Sequence, residues 1–185
     1  MPLLPPFCGD DRHVADYDAA HIVVLPVPYE GTVSYGQGTS EGPRAILEAS
    51  SQLEMYDEEL DRRIDEAGIF TLPPVDVGGG DPKAVMDRIR EAARVPLRDG
   101  KLLVTLGGEH SISYGPLAAL GDVGLTPCSV LQIDAHADLR PQYQGTPYSH
   151  ASIMARAHEL GLPFVQVGIR SLSAPERAFL RAEKL

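Results

Sequence analysis

Residues 101–133, KLLVTLGGEHSISYGPLAALGDVGLTPCSVLQI, contain two short apolar runs with a helical segment between them. The runs at 101–106 and 128–133 have the length and composition of buried strands, and the predicted helix occupies 114–120. A strand followed by a helix and a second strand forms a parallel pair with a right-handed crossover. This stretch therefore predicts an open α/β sheet.

The same alternation extends outward from this stretch. Further strands are predicted at 21–27 and 164–169, and further helices at 43–55, 82–96 and 150–160. Because helices that connect parallel strands cover both faces of a sheet, we expect a three-layer α/β/α fold with a mainly parallel sheet. The length of 185 residues suits a single domain over 1–185, in which residues 1–20 form an N-terminal arm.

The composition disfavours several other classes of protein. Hydrophobic residues make up 43% of the chain and charged residues 23%, which is typical of a globular protein. The net charge of −10 disfavours nucleic acid and anionic membranes as partners. Cys8 and Cys128 are too few for a disulfide framework, and no apolar run approaches the roughly 18 residues of a membrane helix. We therefore expect a cytoplasmic protein.

Polar motifs follow two of the predicted strands directly. The first strand is followed by GGEHS at 107–111 and the second by DAHAD at 134–138. Because the carboxyl ends of parallel strands share one rim, the two motifs should meet there. In an extended chain the aspartates and histidine of DAHAD project to one side, and the glycine pair brings His110 close. A solvated strand end explains this pattern less well, since three polar groups would share one crowded site.

The side chains of these motifs suit a metal ion that prefers hard ligands. Asp134 and Asp138 offer carboxylates, His110 and His136 offer imidazoles, and neither Cys8 nor Cys128 is a plausible ligand. Such a donor set favours manganese over structural zinc. A carboxylate can bridge two ions about 3.5 Å apart, which lower the pKa of a shared water and produce hydroxide. The motifs therefore predict metal-assisted hydrolysis.

Two further features leave more than one interpretation open. His150 follows Asp138 by twelve residues, and its imidazole could transfer a proton to a leaving group or pack on its own helical turn. The loop at 28–42, which contains Tyr29 and Tyr35, could line the mouth of the site or pack on it.

The motifs resemble those of the ureohydrolase family, the arginase and agmatinase group. GGEHS resembles the family's first metal motif, DAHAD its second, and Ser149-His150 its catalytic-histidine segment. Residues 27–50, VPYEGTVSYGQGTSEGPRAILEAS, resemble an N-terminal block of agmatinases, so the resemblance runs from about residue 22 to residue 169. It implies an arginase-like fold and a binuclear manganese site that supplies hydroxide to a guanidinium carbon, releasing urea and an amine.

The resemblance assigns the metal ligands residue by residue. His110 would bind one manganese ion together with Asp138, His136 would bind the other ion, and Asp134 would bridge the two. The family's last metal motif, S-x-D-x-D-x-x-D-P, does not occur in this sequence, which closes on SLSAPERAFLRAEKL, a helix just begun. We therefore expect the N-terminal part of a longer protein, and weak manganese binding without the missing aspartates.

Other positions take roles from the same resemblance. His150 would be the proton shuttle, and Glu109 and Ser111 would orient the first histidine ligand, with helix capping by Ser111 equally open. Ala151 stands where many members have glycine, which leaves the role of the histidine unchanged. Arginases that act on a free amino acid carry asparagine at the position of Arg140, so this residue favours agmatinase.

The resulting prediction is manganese-dependent hydrolysis of agmatine to putrescine and urea, a step of polyamine biosynthesis. One alternative is another ureohydrolase, acting on guanidinobutyrate, formiminoglutamate or aminopropylagmatine. A second is a catalytically silent, truncated relative that binds or assembles with a partner. The acidic composition weakly suits a small cationic guanidino substrate. The resemblance also implies a homo-oligomer, either a trimer or a hexamer.

Overall fold

The computed structural model of the chain describes residues 4–9 and 16–184. The strands in this part are β1 (Ile22–Val27), β2 (Tyr56–Asp57), β3 (Arg62–Arg63), β4 (Ile69–Thr71), β5 (Leu102–Gly107), β6 (Val130–Ile133) and β7 (Phe164–Val167). The helices are α1 (Gly42–Ser50), α2 (Pro82–Arg98), α3 (Tyr114–Asp122), α4 (Ile153–Glu159) and α5 (Ala174–Glu183). Short 3-10 turns at His110–Ser113 and His150–Ser152 lead directly into α3 and α4.

The parallel strands fall into two groups. The first has the order β4-β1-β5 and the second joins β6 to β7, while β2 and β3 form a short antiparallel pair. The prediction of a parallel α/β fold is thus confirmed. Within the described ranges no backbone ladder joins β5 to β6, and a cavity of about 350 Å³ is lined by Thr105 of β5 and by β6.

Helices cover both faces of the first group of strands. Leu25 and Val27 of β1 belong to one core cluster with Ile89 of α2. Val24 packs in a second cluster with Leu47 of α1. Because neighbouring residues of a strand point to opposite faces, β1 lies at the centre of a three-layer arrangement. The predicted N-terminal arm lies partly outside the described residues, and its described Leu4 and Phe7 pack on the second cluster.

The second group of strands is covered on one face. Val130 of β6 packs with α4, whereas Leu131 and Ile133 are 63% and 78% exposed. These two residues pair in register with Val165 and Val167 of β7, which are also exposed. The three-layer arrangement is therefore complete around β1 but not around β6 and β7 in the part of the chain that the structure describes.

Some element boundaries differ from the predicted ones for local reasons. α1 ends at Ser50 rather than near residue 55, because the hydroxyls of Ser50 and Ser51 donate to carbonyl groups three residues earlier. α2 continues past Pro96, and the chain leaves it at Gly100, which has a left-handed φ of 71°. β4 has no counterpart among the predicted strands, because three residues are too few to show a period. None of the described helices combines the length and hydropathy that a membrane crossing requires.

Candidate metal centre

The GGEHS motif leaves β5 where two backbones approach closely. A Cβ atom added to Gly108 would lie 2.3 Å from the carbonyl oxygen of Tyr29 and 2.8 Å from that of Val27, so only glycine fits there. The N–H of Glu109 then donates to the Tyr29 carbonyl at 2.9 Å, and the next residue starts the 3-10 turn. The end of β1 thus fixes the place from which His110 projects.

The DAHAD motif leaves β6 and then turns. The N–H of Asp134 donates to the Val167 carbonyl at 3.0 Å, but Asp138 has a left-handed φ of 51°. The Asp138 carbonyl accepts the N–H groups of Met154 and Ala155 at 3.0 and 3.3 Å, so the chain bends over the start of α4. The chain is therefore not extended at Asp138. This turn, rather than strand periodicity, sets the place of its carboxylate.

The N-terminus of α5 is hydrogen-bonded to the residue that follows this turn. The buried Glu176 accepts the N–H of Leu139 at 3.0 Å through Oε1 and the N–H of Ser173 at 2.6 Å through Oε2. Ser173 completes a capping box, in which its side chain accepts the N–H of Glu176. One carboxylate therefore caps a helix and anchors the residue that follows Asp138.

Three side chains converge at the carboxyl ends of β5 and β6, and we call His110, Asp134 and Asp138 the ligand cluster. One ligand atom from each lies within 4.8 Å of the other two. His110 Nδ1 is 2.8 Å from Asp138 Oδ2 and 3.4 Å from Asp134 Oδ2. His136 lies outside this group with a side chain 66% exposed, and its Nδ1 is 3.5 Å from Asp134 Oδ1. The Asp134 carboxylate therefore lies between two imidazoles.

The buried Gln132 of β6 supports both carboxylates. Its side-chain amide donates to Asp134 Oδ2 at 3.3 Å and to Asp138 Oδ2 at 3.4 Å. Burial alone would raise the pKa of the Asp134 carboxyl, but the His136 N–H, the charge of His110 and the Gln132 amide together hold that pKa below its ordinary value. Asp134 is therefore kept as a carboxylate, the form that a cation requires.

The ligand cluster has more acceptors than donors. Two carboxylates share the Nδ1 atom of His110, and the amide hydrogen bonds from Gln132 are long. Carboxylates this close repel one another unless a positive charge or a proton lies between them. Oxygen and imidazole donors without a thiolate suit hard divalent cations. The residues present could therefore hold a metal ion.

Glu109 and Ser111 make side-chain hydrogen bonds to Thr32 and to each other. Glu109 Oε2 accepts the N–H of Thr32 at 2.6 Å, and Oε1 accepts the hydroxyls of Thr32 at 2.5 Å and Ser111 at 2.6 Å. All three residues are buried. Ser111 does not cap α3, since the N-cap of that helix is Ser113. Glu109 and Ser111 therefore position Thr32.

His150 and the ligand cluster line one cavity of about 400 Å³. Its polar lining residues include Ser34, His110, Asp134, His136, Asp138, Arg140, Tyr143 and His150. His150 Nδ1 is 3.1 Å from Thr32 Oγ1 and Nε2 is 3.0 Å from Ser34 Oγ. The Tyr143 ring meets the imidazole edge-on, with the ring centroids 5.5 Å apart. The imidazole thus reaches beyond its own helical turn into the site.

The loop at 28–42 contributes to the site through residues that the sequence analysis did not single out. Thr32 and Ser34 contact His150, whereas Tyr29 is buried in the core and Tyr35 is fully exposed. No local signal marks these contacts, because the partners are 118 and 116 residues apart. Gln132 was also missed, although a polar residue within the apolar run CSVLQI was a usable signal.

A sequence model of the arginase family matches residues 20–185. The chain belongs to the arginase family. Two relatives in this family are N(1)-aminopropylagmatine ureohydrolases. One from Thermus thermophilus is 46% identical over 85% of this chain and 54% of its own length. The one from Synechocystis is 38% identical over 95% of this chain and 59% of its own length.

A solved arginase-family structure shows the same fold. The agmatine ureohydrolase of Thermoplasma volcanium matches with a TM-score of 0.80 and 33% sequence identity, over 89% of this chain and 55% of that one. This chain spans between half and three fifths of the length of the relatives described above. The comparisons therefore establish its family and its fold.

Proposed function

We propose that this arginase-family chain takes part in the manganese-dependent hydrolysis of a guanidino group, with agmatine as substrate and putrescine and urea as products. The observation that carries the proposal is the ligand cluster, in which His110, Asp134 and Asp138 converge within 4.8 Å. Bound divalent ions lower the pKa of water and so make hydroxide accessible at neutral pH. The donor set of carboxylates and imidazoles suits manganese.

Each site residue has a proposed role that its position supports. His110 and Asp138, whose ligand atoms are 2.8 Å apart, would hold one ion, and His136 would hold the second. Asp134 would bridge the ions, since its two oxygens lie toward different imidazoles at 3.4 and 3.5 Å. His150 shares the cavity and would transfer a proton to the leaving amine.

The proposed substrate has a positive charge and no carboxylate. Agmatine fits this description, and Arg140 at the cavity edge stands where arginases that take a free amino acid carry asparagine. N(1)-aminopropylagmatine is a second candidate substrate, because the relatives at 46% and 38% identity carry the name of enzymes that act on it. The two substrates share the guanidino group and differ only in the tail.

The first experiment is to load the chain with Mn²⁺, desalt it and measure manganese per chain by elemental analysis. Because the family's last metal motif does not occur in this sequence, we expect weak binding, and two tightly held ions per chain would mean that other groups supply the missing ligands. No binding even with Mn²⁺ kept in excess would overturn the metal assignment and favour a catalytically silent relative.

A substrate panel then tests the reaction. Urea release would be measured with agmatine, N(1)-aminopropylagmatine, guanidinobutyrate and arginine, and formamide release with formiminoglutamate. Agmatine should give the highest kcat/KM, and a higher value for N(1)-aminopropylagmatine would favour the second candidate. The location in the cytoplasm, the place in polyamine biosynthesis and the trimeric or hexameric state stay predictions.

A further inference from the structure

A chain of hydrogen bonds connects the buried Glu109 to the cavity through Thr32 and His150. Glu109 Oε1 lies 2.5 Å from Thr32 Oγ1, which lies 3.1 Å from His150 Nδ1. On the other side of the ring, Nε2 lies 3.0 Å from Ser34 Oγ, which is 3.2 Å from the Tyr143 hydroxyl. We call these five residues the relay. Both ring nitrogens of His150 therefore have a hydroxyl partner.

The protons available to the relay determine which ring nitrogen is protonated. The Thr32 hydroxyl has one proton, and the Glu109 carboxylate at 2.5 Å accepts it. The Thr32 oxygen then has two lone pairs left, and the backbone N–H of His150 occupies one of them at 3.2 Å. The other faces Nδ1, and a lone pair is satisfied there only by a proton on that nitrogen. A neutral His150 in this arrangement is the Nδ1–H tautomer.

The opposite nitrogen is left with its lone pair directed at the cavity side of the ring. Ser34 Oγ lies 3.0 Å from Nε2 and donates its own hydroxyl proton to the Tyr143 hydroxyl at 3.2 Å, so the chain directs no proton at the Nε2 lone pair. Thr32 and Glu109 are 3% and 5% exposed, so water does not compete for the Nδ1 side, whereas Ser34 is exposed. Proton exchange through His150 therefore has one route, which leads through Nε2.

We propose that Thr32, held by Glu109, is a positioning residue that fixes His150 in the Nδ1–H tautomer and reserves Nε2 for proton exchange with a ligand in the cavity. This inference deepens the proposed function and rests on it for the identity of the ligand. The tautomer itself is a property of the chain alone, since every group in the relay belongs to it.

The direct test is the tautomer of His150 in the chain without metal or substrate. The chain is labelled with ¹⁵N-histidine, and two-bond ¹H–¹⁵N correlations are recorded at pH about 8, above the ordinary range of imidazole titration. The His150 signals are identified by their loss in His150→Asn. We expect a protonated Nδ1 and an unprotonated Nε2. A proton on Nε2 in the unmodified chain would overturn the proposal, whatever the variants do.

Two substitutions of Thr32 distinguish the effect of its hydroxyl group from the effect of its side-chain volume. Thr32→Val removes the hydroxyl at nearly the same volume and should release the Nδ1–H preference, whereas Thr32→Ser should retain it. Thr146→Val is the matched control, because that hydroxyl accepts the Tyr148 N–H in the neighbouring loop and should leave the His150 signals unchanged. An unchanged Nδ1–H tautomer in folded Thr32→Val would also overturn the proposal.

Kinetics of the manganese-loaded chain distinguish failure of this inference from failure of the proposed function. Thr32→Val should lower kcat by about 100-fold, the low end of what general acid–base catalysis contributes, with little change in KM. Thr32→Ser should retain most of the kcat of the unmodified chain. A chain with the Nδ1–H tautomer but no hydrolysis refutes the proposed function and leaves the tautomer assignment intact. Hydrolysis with an unaltered kcat in Thr32→Val refutes the positioning role alone.

Discussion

The ligand cluster and the relay lie side by side but differ in how their polar groups are satisfied. In the relay, Glu109 accepts three hydrogen bonds and the Thr32 hydroxyl has a partner for its proton and for both lone pairs. In the ligand cluster, two carboxylates face one imidazole nitrogen. The relay is complete within the chain, whereas the ligand cluster has acceptors in excess and could hold a cation.

The difference indicates which cluster serves stability and which serves binding. A buried carboxylate with all its donors rigidifies the loops that supply them. A partly exposed group of acceptors adds little to stability but presents a strong field to a cation. Substitutions should therefore separate the two clusters by their effects on activity and on folding.

The largest effect is expected from Asp134→Asn, which removes the proposed bridging charge. It should lower hydrolysis by more than about 100-fold, the upper range for residues that only orient a metal ligand. Arg140→Ala removes a cation that lies 5.1 Å from the Tyr143 ring centroid and should cost far less. Manganese per chain and urea release measure both variants, and comparable losses would count against the bridging role.

The second-largest effect is expected on the free energy of unfolding rather than on activity. Glu109→Gln places an amide among three donors and should lower the free energy of unfolding by about 1–3 kcal/mol. Asp134→Asn retains an oxygen for the His136 N–H and should cost less than about 1 kcal/mol. Urea denaturation of both variants with a metal chelator present checks the order. Equal losses would show that the two clusters do not differ in this way.

A smaller effect on stability is expected from the capping box of α5, which lies beside the turn at Asp138. Ser173→Ala removes the hydroxyl of the capping box and should lower the free energy of unfolding by about 1 kcal/mol. Ser171→Ala, two residues earlier, is the control and should have little effect. The midpoints of thermal unfolding of the two variants are compared. Equal midpoints would mean that the capping box does not stabilise the fold.

The smallest effect depends on pH and concerns the loop that supplies Thr32 and Ser34. Backbone N–H groups of Ser40 and Gly38 lower the pKa of Glu30 from its ordinary value of 4.5. A lowered folded-state pKa means that the stabilisation is present above pH 4.5 and is lost as the pH falls through the lower value.

The melting temperature of Glu30→Gln measures this effect. It should lie slightly below that of the unmodified chain at pH about 7 and converge with it in acid. Glu54→Gln, at an exposed position outside the loop, should show no such convergence. A difference that persists below the lowered pKa would mean that the Glu30 charge is not its source.

The sequence was sufficient for the parts of the site that are local. Each ligand motif directly follows an apolar run, and parallel strands bring their carboxyl ends to one rim, so His110 and Asp134 were predicted as neighbours. The left-handed turn at Asp138 was not predicted, because it depends on N–H groups from α4. Thr32 was missed for a similar reason, since its partners come from distant parts of the chain.

The Glu176 carboxylate accepts the N–H of the residue that follows Asp138 and also caps α5, so a cation bound at the ligand cluster would be coupled to the docking of that helix. Such coupling is reciprocal. If a bound cation stabilises the capped helix, the capped helix increases the affinity for the cation by the same factor. Amide hydrogen exchange in α5 should therefore slow as Mn²⁺ is added, although the helix contributes no ligand to the cluster. α5 would then report metal occupancy from outside the ligand cluster.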